Sequence, residues 1–183
     1  MQRIDQSGFT LIESMVTVAI IAVLVTMAIP DYFQQTANQR LKDDITNLRG
    51  ELQVARAAAM TTGSPVVLAL NQPAANQYQL FLDNGAVGGV FGDGIWNGCE
   101  PLIGPGGRLI NPIPPCGVVP DDGIRTLNPW VTVAILPPNA VIGFASSGRR
   151  NKPAIGQAGI TLQNGYNLQR ALSITVIGEV TNG

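Results

Sequence analysis

The chain has 183 residues, of which 45% are hydrophobic and 13% are charged, and its formal net charge is −1. A balance this close to zero does not predict nucleic-acid binding through bulk charge, and the absence of histidine excludes histidine-based catalysis and histidine metal sites. The length leaves room for one long helix and one domain of about 120 residues.

An apolar run covers Phe9 to Ile29 and contains a single charge, Glu13. At about 1.5 Å per helical residue the run spans about 30 Å, which matches the hydrocarbon core of a bilayer. A cleaved secretory signal is disfavoured, because the run is too long and no A-x-A exit follows it. The sequence therefore predicts a transmembrane helix, with a short polar head in the cytoplasm and an exported remainder.

The start of this run, Gly8-Phe9-Thr10-Leu11-Ile12-Glu13, closely resembles the class III leader and N-terminal helix of type IV pilins and type II secretion pseudopilins. The resemblance implies cleavage after Gly8 by a prepilin peptidase and methylation of the new amine on Phe9. The mature chain would then lack the first eight of the 183 residues. Ser7 departs from the pattern, because such leaders commonly carry Lys or Arg at that position.

Glu13 is the exceptional residue of the run, because a charged side chain at the centre of a bilayer costs about 3 kcal/mol or more. The Phe9 amine, on the same subunit or on a neighbour, is the nearest candidate cation at that depth. We therefore expect Glu13 to act as an assembly charge that sets the register of a subunit in a filament. The alternative is a tolerated polar residue that reaches the headgroups.

Beyond Pro30 the pattern becomes amphipathic, and apolar residues recur at helical spacing. They are Leu41, Ile45, Leu48, Leu52, Ala55 and Ala59. We predict one helix over residues 9–61, with 9–29 in the membrane and 31–61 amphipathic, and a kink at Pro30. The charged residues of the other face are expected to be solvated: Arg40, Lys42, Asp43, Asp44, Arg49, Glu51 and Arg56.

Residues 64–183 are predicted to form a globular β domain, because short apolar groups follow one another between Gly, Pro and Asn. The predicted strands are Val66 to Leu70, Tyr78 to Leu82, Trp130 to Leu136, Val141 to Phe144, Ile160 to Leu162 and Leu172 to Ile177. The expected fold class is α+β, with the long N-terminal helix packed on antiparallel sheets.

A Gly/Pro-rich excursion over residues 85–123 interrupts this pattern and is expected to build no core of its own. It contains Cys99 and Cys116, which would lie outside the cytoplasm, where disulfides persist. We predict that they form a disulfide worth about 3 kcal/mol; the alternative is two free thiols. Two cysteines cannot make a four-cysteine metal site.

A second resemblance extends to the domain. The chain resembles the GspH/FimT minor pseudopilins in two places. They are the helix exit with Gly63-Ser64-Pro65 and the late residues Ile142-Gly143-Phe144, Gly148 and Gly178. That family's usual fold is a long helix with a two-sheet β domain. Residues 83–129 match no pattern that we can name.

No catalytic centre, metal site or cofactor is expected. Asp121-Asp122-Gly123 lacks the spaced oxygen ligands of a calcium loop and is predicted to be a polar turn. A possible DNA-binding cluster consists of Arg149, Arg150 and Lys152, with Arg170 as a possible neighbour. A solvated turn is the favoured interpretation, because Glu179 near the C-terminus would repel phosphate.

The sequence thus predicts a structural subunit of a pilus or pseudopilus and not an enzyme. Its partners would be other pilin or pseudopilin subunits, the prepilin peptidase and the bacterial inner membrane, with the C-terminal domain in the periplasm. Its role would be to initiate or cap the assembly of a type IV pilus or a type II secretion pseudopilus. The alternatives are a DNA-binding minor pilin that acts in DNA uptake and a single-span anchored periplasmic domain.

Overall fold

The computed structural model describes residues 10–111, 116–117, 120–153 and 158–182, without the side chains of residues 27, 28 and 121. The chain divides into two compact units, Met1–Thr36 and Ala37–Gly183. Helix α1, Leu11–Thr62, contributes to both.

The bounds of α1 follow from local chemistry at its two ends. Thr10 precedes the helix, and its hydroxyl oxygen accepts a hydrogen bond from the backbone N–H of Glu13 at 3.3 Å, which is the role of an N-cap. At the other end Gly63 has a φ of 69° and donates its N–H to Ala59 at 3.1 Å, as glycine does after many helices. The helix continues through Pro30, and the kink there stays a prediction.

Short strands follow α1 in the described residues. They are β1 (Val66–Leu70), β2 (Gln77–Leu82), β3 (Leu102–Ile103), β4 (Leu109–Ile110), β5 (Ile124–Thr126), β6 (Val131–Ile135), β7 (Val141–Phe144), β8 (Arg150–Lys152), β9 (Ala158–Asn164), β10 (Gln169–Ile174) and β11 (Val180–Asn182). All six predicted strands are present, although their bounds differ by up to three residues. Strands β3, β4, β5, β8 and β11 were missed, because two or three residues are too few to show an alternating pattern.

The strands form two antiparallel sheets. The large sheet has the order β4-β3-β2-β1-β7-β8, with β5 also paired to β2, and the small sheet has the order β11-β10-β9-β6. The chain leaves the large sheet after β5, forms β6 at one edge of the small sheet and returns as β7 beside β1. This arrangement confirms the predicted α+β fold, with a long N-terminal helix and a two-sheet domain.

The apolar stripe of α1 lies in the main core of the domain. All six predicted stripe residues are buried, and they pack with residues of both sheets, among them Leu68, Phe144, Ile160 and Leu172. Burying a side chain of this size stabilises a fold by about 1.5–3 kcal/mol. The helical spacing in the sequence therefore identified the packing face correctly.

The Gly/Pro-rich excursion contributes more to the core than its composition indicates. Leu102 and Ile110 pack with Val67, Phe81 and Val141 in a second cluster. This cluster explains why every residue of β1 is buried, since successive side chains of a strand point to opposite faces of the sheet. The expectation of a surface excursion without core residues was therefore wrong for these positions.

The charged face of α1 is only partly solvated, contrary to the prediction. Asp44 is 4% exposed. Its two carboxylate oxygens accept hydrogen bonds from the backbone N–H and side-chain amide of Asn128, at 2.9 and 2.7 Å. Glu51 pairs with Arg125 at 2.8 Å, and Arg56 donates to the Gly178 carbonyl at 3.1 Å. These three side chains tie the helix to the β domain.

Candidate assembly surfaces

The first candidate surface is the apolar helical segment of residues 10–36. Large hydrophobic side chains are exposed around its whole circumference, from Leu11 at 78% to Val25 at 47%. The helix is long and apolar enough to cross a membrane. Exposure of this segment to water is unfavourable, because burying each of its large aliphatic side chains would contribute about 1.5–3 kcal/mol of free energy.

The serine and threonine hydroxyl groups of residues 14–26 are satisfied within the helix. Ser14 donates to the Thr10 carbonyl at 3.0 Å, Thr17 to the Ser14 carbonyl at 2.9 Å and Thr26 to the Val23 carbonyl at 2.7 Å. Backbone and hydroxyl groups that bond inside the helix need no water. Residues 10–29 of the segment are therefore suited to an apolar environment apart from one residue.

That residue is Glu13, which lies in the first turn of α1 with its carboxylate exposed. Within the described residues this carboxylate belongs to neither of the ion pairs, Arg108–Asp122 and Glu51–Arg125. The positive end of the helix dipole favours an acid here, but only by about 0.3–1 kcal/mol. Gly8 and Phe9 lie outside the described residues, so the cleavage, the methylation and the ion pair with the Phe9 amine stay predictions.

The candidate DNA-binding residues do not form one exposed cluster. Arg149 is exposed in the turn after β7, but Arg150 begins β8 and is only 8% exposed. Its backbone N–H donates to the Val176 carbonyl at 3.1 Å, just beyond the end of β10. Arg170 lies four residues before that end, which is about 14 Å of extended strand. The side chain of Arg150 is therefore largely covered in this chain, and DNA binding by Arg149, Arg150, Lys152 and Arg170 stays a prediction.

The late glycines that carry the second resemblance meet at the exit of α1. A Cβ atom on Gly148 would lie 2.7 Å from the Met60 sulfur, and one on Gly178 would overlap the Gly148 carbonyl oxygen. Arg56 and Met60 line a groove of about 380 Å³ beside Gly178 and Glu179. Close packing thus requires glycine at 178, and a φ of 74° favours glycine at 148. The described lining of the groove brings together no set of catalytic groups.

The excursion is held by buried carboxylates and a disulfide. Asp83 accepts hydrogen bonds from the backbone N–H groups of Gly92 and Gly94, at 2.8 and 2.7 Å, and Glu100 accepts from Gly85 at 3.0 Å. Burial raises the pKa of Glu100, and the negative charges of Asp83 and Asp93 raise it further. Cys99 and Cys116 form the predicted disulfide, with their Cα atoms 4.8 Å apart.

These carboxylates have structural partners, and the described residues contain no group of three or more acids or cysteines placed to hold a metal ion. Asp122, in the predicted polar turn, pairs with Arg108 at 2.8 Å, and both side chains are at least half exposed. The turn is a short 3₁₀ segment, Asp121–Gly123. Its residues therefore serve the local fold.

The N-terminal part of the chain is similar to known protein sequences. Residues 3–29 match the prokaryotic N-terminal methylation motif. A fimbrial protein of Pseudomonas aeruginosa is 36% identical over 75 residues, which are 41% of this chain and 47% of that protein. The chain thus spans about half the length of the curated relatives that it matches.

Two solved structures resemble the fold. The type IV minor pilin FimU of Pseudomonas aeruginosa is 14% identical, with a TM-score of 0.49 over 80% of this chain and 90% of FimU. The minor pseudopilin EpsH of the Vibrio cholerae Type 2 Secretion System is 9% identical, with a TM-score of 0.49 over 79% and 96%. The chain is thus similar to proteins that carry the N-terminal methylation motif and, over 75 residues, to a fimbrial protein.

Proposed function

We propose that this chain is a minor pilin or pseudopilin, a structural subunit that helps to start or cap a short filament. The segment Phe9 to Ile29 holds the subunit in the bacterial inner membrane before assembly, with the β domain in the periplasm. The same segment packs among the helices of other subunits after assembly. No catalytic step belongs to this function.

One observation carries the proposal: the apolar half of α1 is exposed on all sides, whereas residues 37–183 have a core of their own. The main core of residues 37–183 takes the stripe that starts at Leu41, whereas the large hydrophobic residues of 11–25 remain exposed in the folded chain. A surface that stays exposed in the folded chain and spans a bilayer in length requires lipid or other helices as its cover.

Glu13 supports an assembly role beyond simple anchoring. An anchor needs only apolar residues, and an acid within it lowers its affinity for lipid. Cleavage after Gly8 would supply an α-amino group four residues before Glu13, on this subunit or on the next. Pairing of the two charges offsets part of the cost of removing each from water. The acid would then favour the assembled position over other positions of the helix.

The N-terminus of the mature chain tests this function directly. Mass spectrometry of the chain purified from membranes of the native bacterium should find Phe9 as the first residue, with one added methyl group. The chain should also co-purify with other pilin subunits after mild detergent extraction. An intact Met1 in the mature membrane fraction would instead support the single-span anchored domain and contradict the proposal.

The control for this experiment is a Gly8→Val variant, which changes only the residue before the cleavage site. Prepilin processing should stop in this variant, and the uncleaved chain should remain in the membrane fraction without its pilin partners. Unchanged co-purification of an uncleaved Gly8→Val chain would show that association does not depend on the free Phe9 amine.

A further inference from the structure

An exposed tryptophan occupies a backbone position that suits glycine. Asn128, Pro129, Trp130 and Val131 form a turn closed by the Val131 N–H, which donates to the Asn128 carbonyl at 3.1 Å. Trp130 has a φ of 72°. Proline at the second position and a positive φ at the third define a type II turn, in which the third residue is usually glycine or asparagine. The sequence had instead placed Trp130 in a strand.

Trp130 contributes little to the fold that holds it. Its side chain is 73% exposed, and a left-handed conformation costs a residue with a Cβ atom about 1–3 kcal/mol. Neither packing nor backbone geometry therefore accounts for a tryptophan here. A contact with a partner outside the chain would account for the tryptophan, since tryptophan and tyrosine carry large amphipathic rings that favour interfaces.

The position of Trp130 is fixed by two connections to α1. Asn128, two residues before it, holds the carboxylate of Asp44. Val131, directly after it, pairs with Asn164, whose side-chain amide donates to Asn38 at 2.7 Å. The turn that carries the ring is thus connected to Asp44 and Asn38 of α1.

The turn that approaches this ring carries two other exposed apolar residues. The turn between β9 and β10 is closed by the Asn164 side-chain oxygen, which accepts from the backbone N–H groups of Tyr166 and Leu168, both at 3.0 Å. A Cβ atom on Gly165 would lie 4.0 Å from Cε3 of Trp130. Tyr166 and Leu168 are both exposed. We name Trp130, Tyr166 and Leu168 the aromatic patch.

We propose that the aromatic patch rests in the headgroup region of the inner membrane while the subunit waits there for assembly. This inference depends on the proposed membrane anchor. The turn that carries Tyr166 and Leu168 is hydrogen-bonded through Asn164 to Asn38, which lies only nine positions after Ile29, the last residue of the apolar run in the sequence. Tryptophan and tyrosine concentrate at this depth in membrane proteins.

Charge favours lipid over an apolar protein groove as the occupant. Arg170 is exposed at the start of β10, two residues after Leu168, and it is the only charged residue in segments 128–131 and 164–170. A cation near the surface of an anionic leaflet gains about 1 kcal/mol. The residue first considered for DNA thus lies where it can contact lipid phosphate.

The two tryptophans of the chain allow a direct test. Trp96 is half-buried and packs against the second cluster on the large sheet, so it serves as the internal control. The full chain is reconstituted into vesicles of phosphatidylethanolamine and phosphatidylglycerol that carry bromine near the top of the acyl chains. Bromine quenches the fluorescence of a tryptophan that it contacts. The Trp96→Phe variant reports Trp130, and Trp130→Phe reports Trp96.

We expect at least twofold stronger quenching of Trp130 than of Trp96. Equal or weaker quenching of Trp130 in chains that float with the vesicles would overturn this inference alone, and would assign the patch to a protein partner. Chains that do not float would overturn the membrane anchor and this inference with it. The difference between wild type and Trp130→Phe gives the same quantity if Trp96→Phe does not fold.

A Trp130→Gly variant tests whether Trp130 serves a contact outside the chain or the stability of the fold itself. Glycine fits the positive φ, so the midpoint of thermal unfolding should stay the same or rise. A fall of more than a few degrees would show that Trp130 serves the fold itself and would contradict the inference. With Trp130 removed in this way, protection of the 164–170 turn from hydrogen exchange on vesicle binding should decrease.

Discussion

The two halves of α1 lie in different surroundings although they form one continuous helix. Residues 11–36 expose hydrophobic side chains in every direction, whereas residues 37–62 bury a single stripe and keep charged residues on the other face. The large hydrophobic side chains described in the first half are exposed, and the second half is part of a core that both sheets share. Backbone hydrogen bonds thus continue along the whole helix, but the contacts that stabilise it change near residue 37.

The same substitution in the two halves should give the largest difference. Leu52→Ala removes a fully buried side chain from the main core and should lower the free energy of unfolding by about 2–5 kcal/mol. Leu24→Ala removes an exposed side chain and should change it by less than about 0.5 kcal/mol. Denaturant unfolding of the full chain in detergent measures both. Similar losses would contradict the independence of the two halves.

Loss of the disulfide should have the next largest effect, and only on the domain. Cys99 and Cys116 close a loop with a sequence separation of 17 residues. The double change Cys99→Ser and Cys116→Ser should lower the free energy of unfolding by about 3 kcal/mol, because it restores freedom to the unfolded chain. Membrane insertion should be unaffected. A change below about 1 kcal/mol would mean that the buried carboxylates hold the excursion without the disulfide.

Two neighbouring acids of α1 should behave differently. Asp44→Ala removes both acceptors for Asn128 and should cost about 1–2 kcal/mol. Asp43→Ala, the matched control, changes an exposed carboxylate and should cost less than about 0.5 kcal/mol. Thermal unfolding of the two variants compares them. Equal effects would show that the connection between Asp44 and Asn128 does not stabilise the domain.

The smallest effect concerns pH and Glu100. Burial raises the pKa of Glu100 in the folded chain, so the folded state binds a proton more readily than the unfolded state does. Through this group, stability should increase as the pH falls from 7 toward about 4.5 and should be lost again as the pH rises. Glu100→Gln removes this dependence. The stability of the wild type relative to Glu100→Gln should therefore increase as the pH falls, and denaturant unfolding of both chains at several pH values measures this.

Periodic features of the molecule could be predicted from the sequence. The stripe of α1 was identified because each residue repeats the same contact at helical spacing, and β1, β2 and β7 because their apolar runs are bounded by turn residues. The leader motif is local, which is why a comparison with known proteins could confirm it on residues 3–29 alone.

Features that depend on distant partners could not be predicted. Asp44 finds Asn128 across 84 residues, and nothing in the helical pattern distinguishes it from Asp43. Arg150 is buried because β8 joins the edge of the large sheet, which no local pattern indicates. Trp130 looked like the first residue of a strand, since the sequence does not show that its φ is positive.

We propose that the first half of α1 serves two environments, lipid before assembly and the filament afterwards, and that Glu13 matters only in the second. The most direct measurement compares Glu13→Val with Ser14→Val in the native bacterium and quantifies each chain in membranes and in purified filaments or their assembly complexes. We predict that both variants reach wild-type amounts in the membrane within about twofold. Only Glu13→Val should lose incorporation by about tenfold or more, which corresponds to at least about 1.4 kcal/mol. Incorporation of Glu13→Val at the level of Ser14→Val, or loss of Glu13→Val from the membrane, would contradict the account.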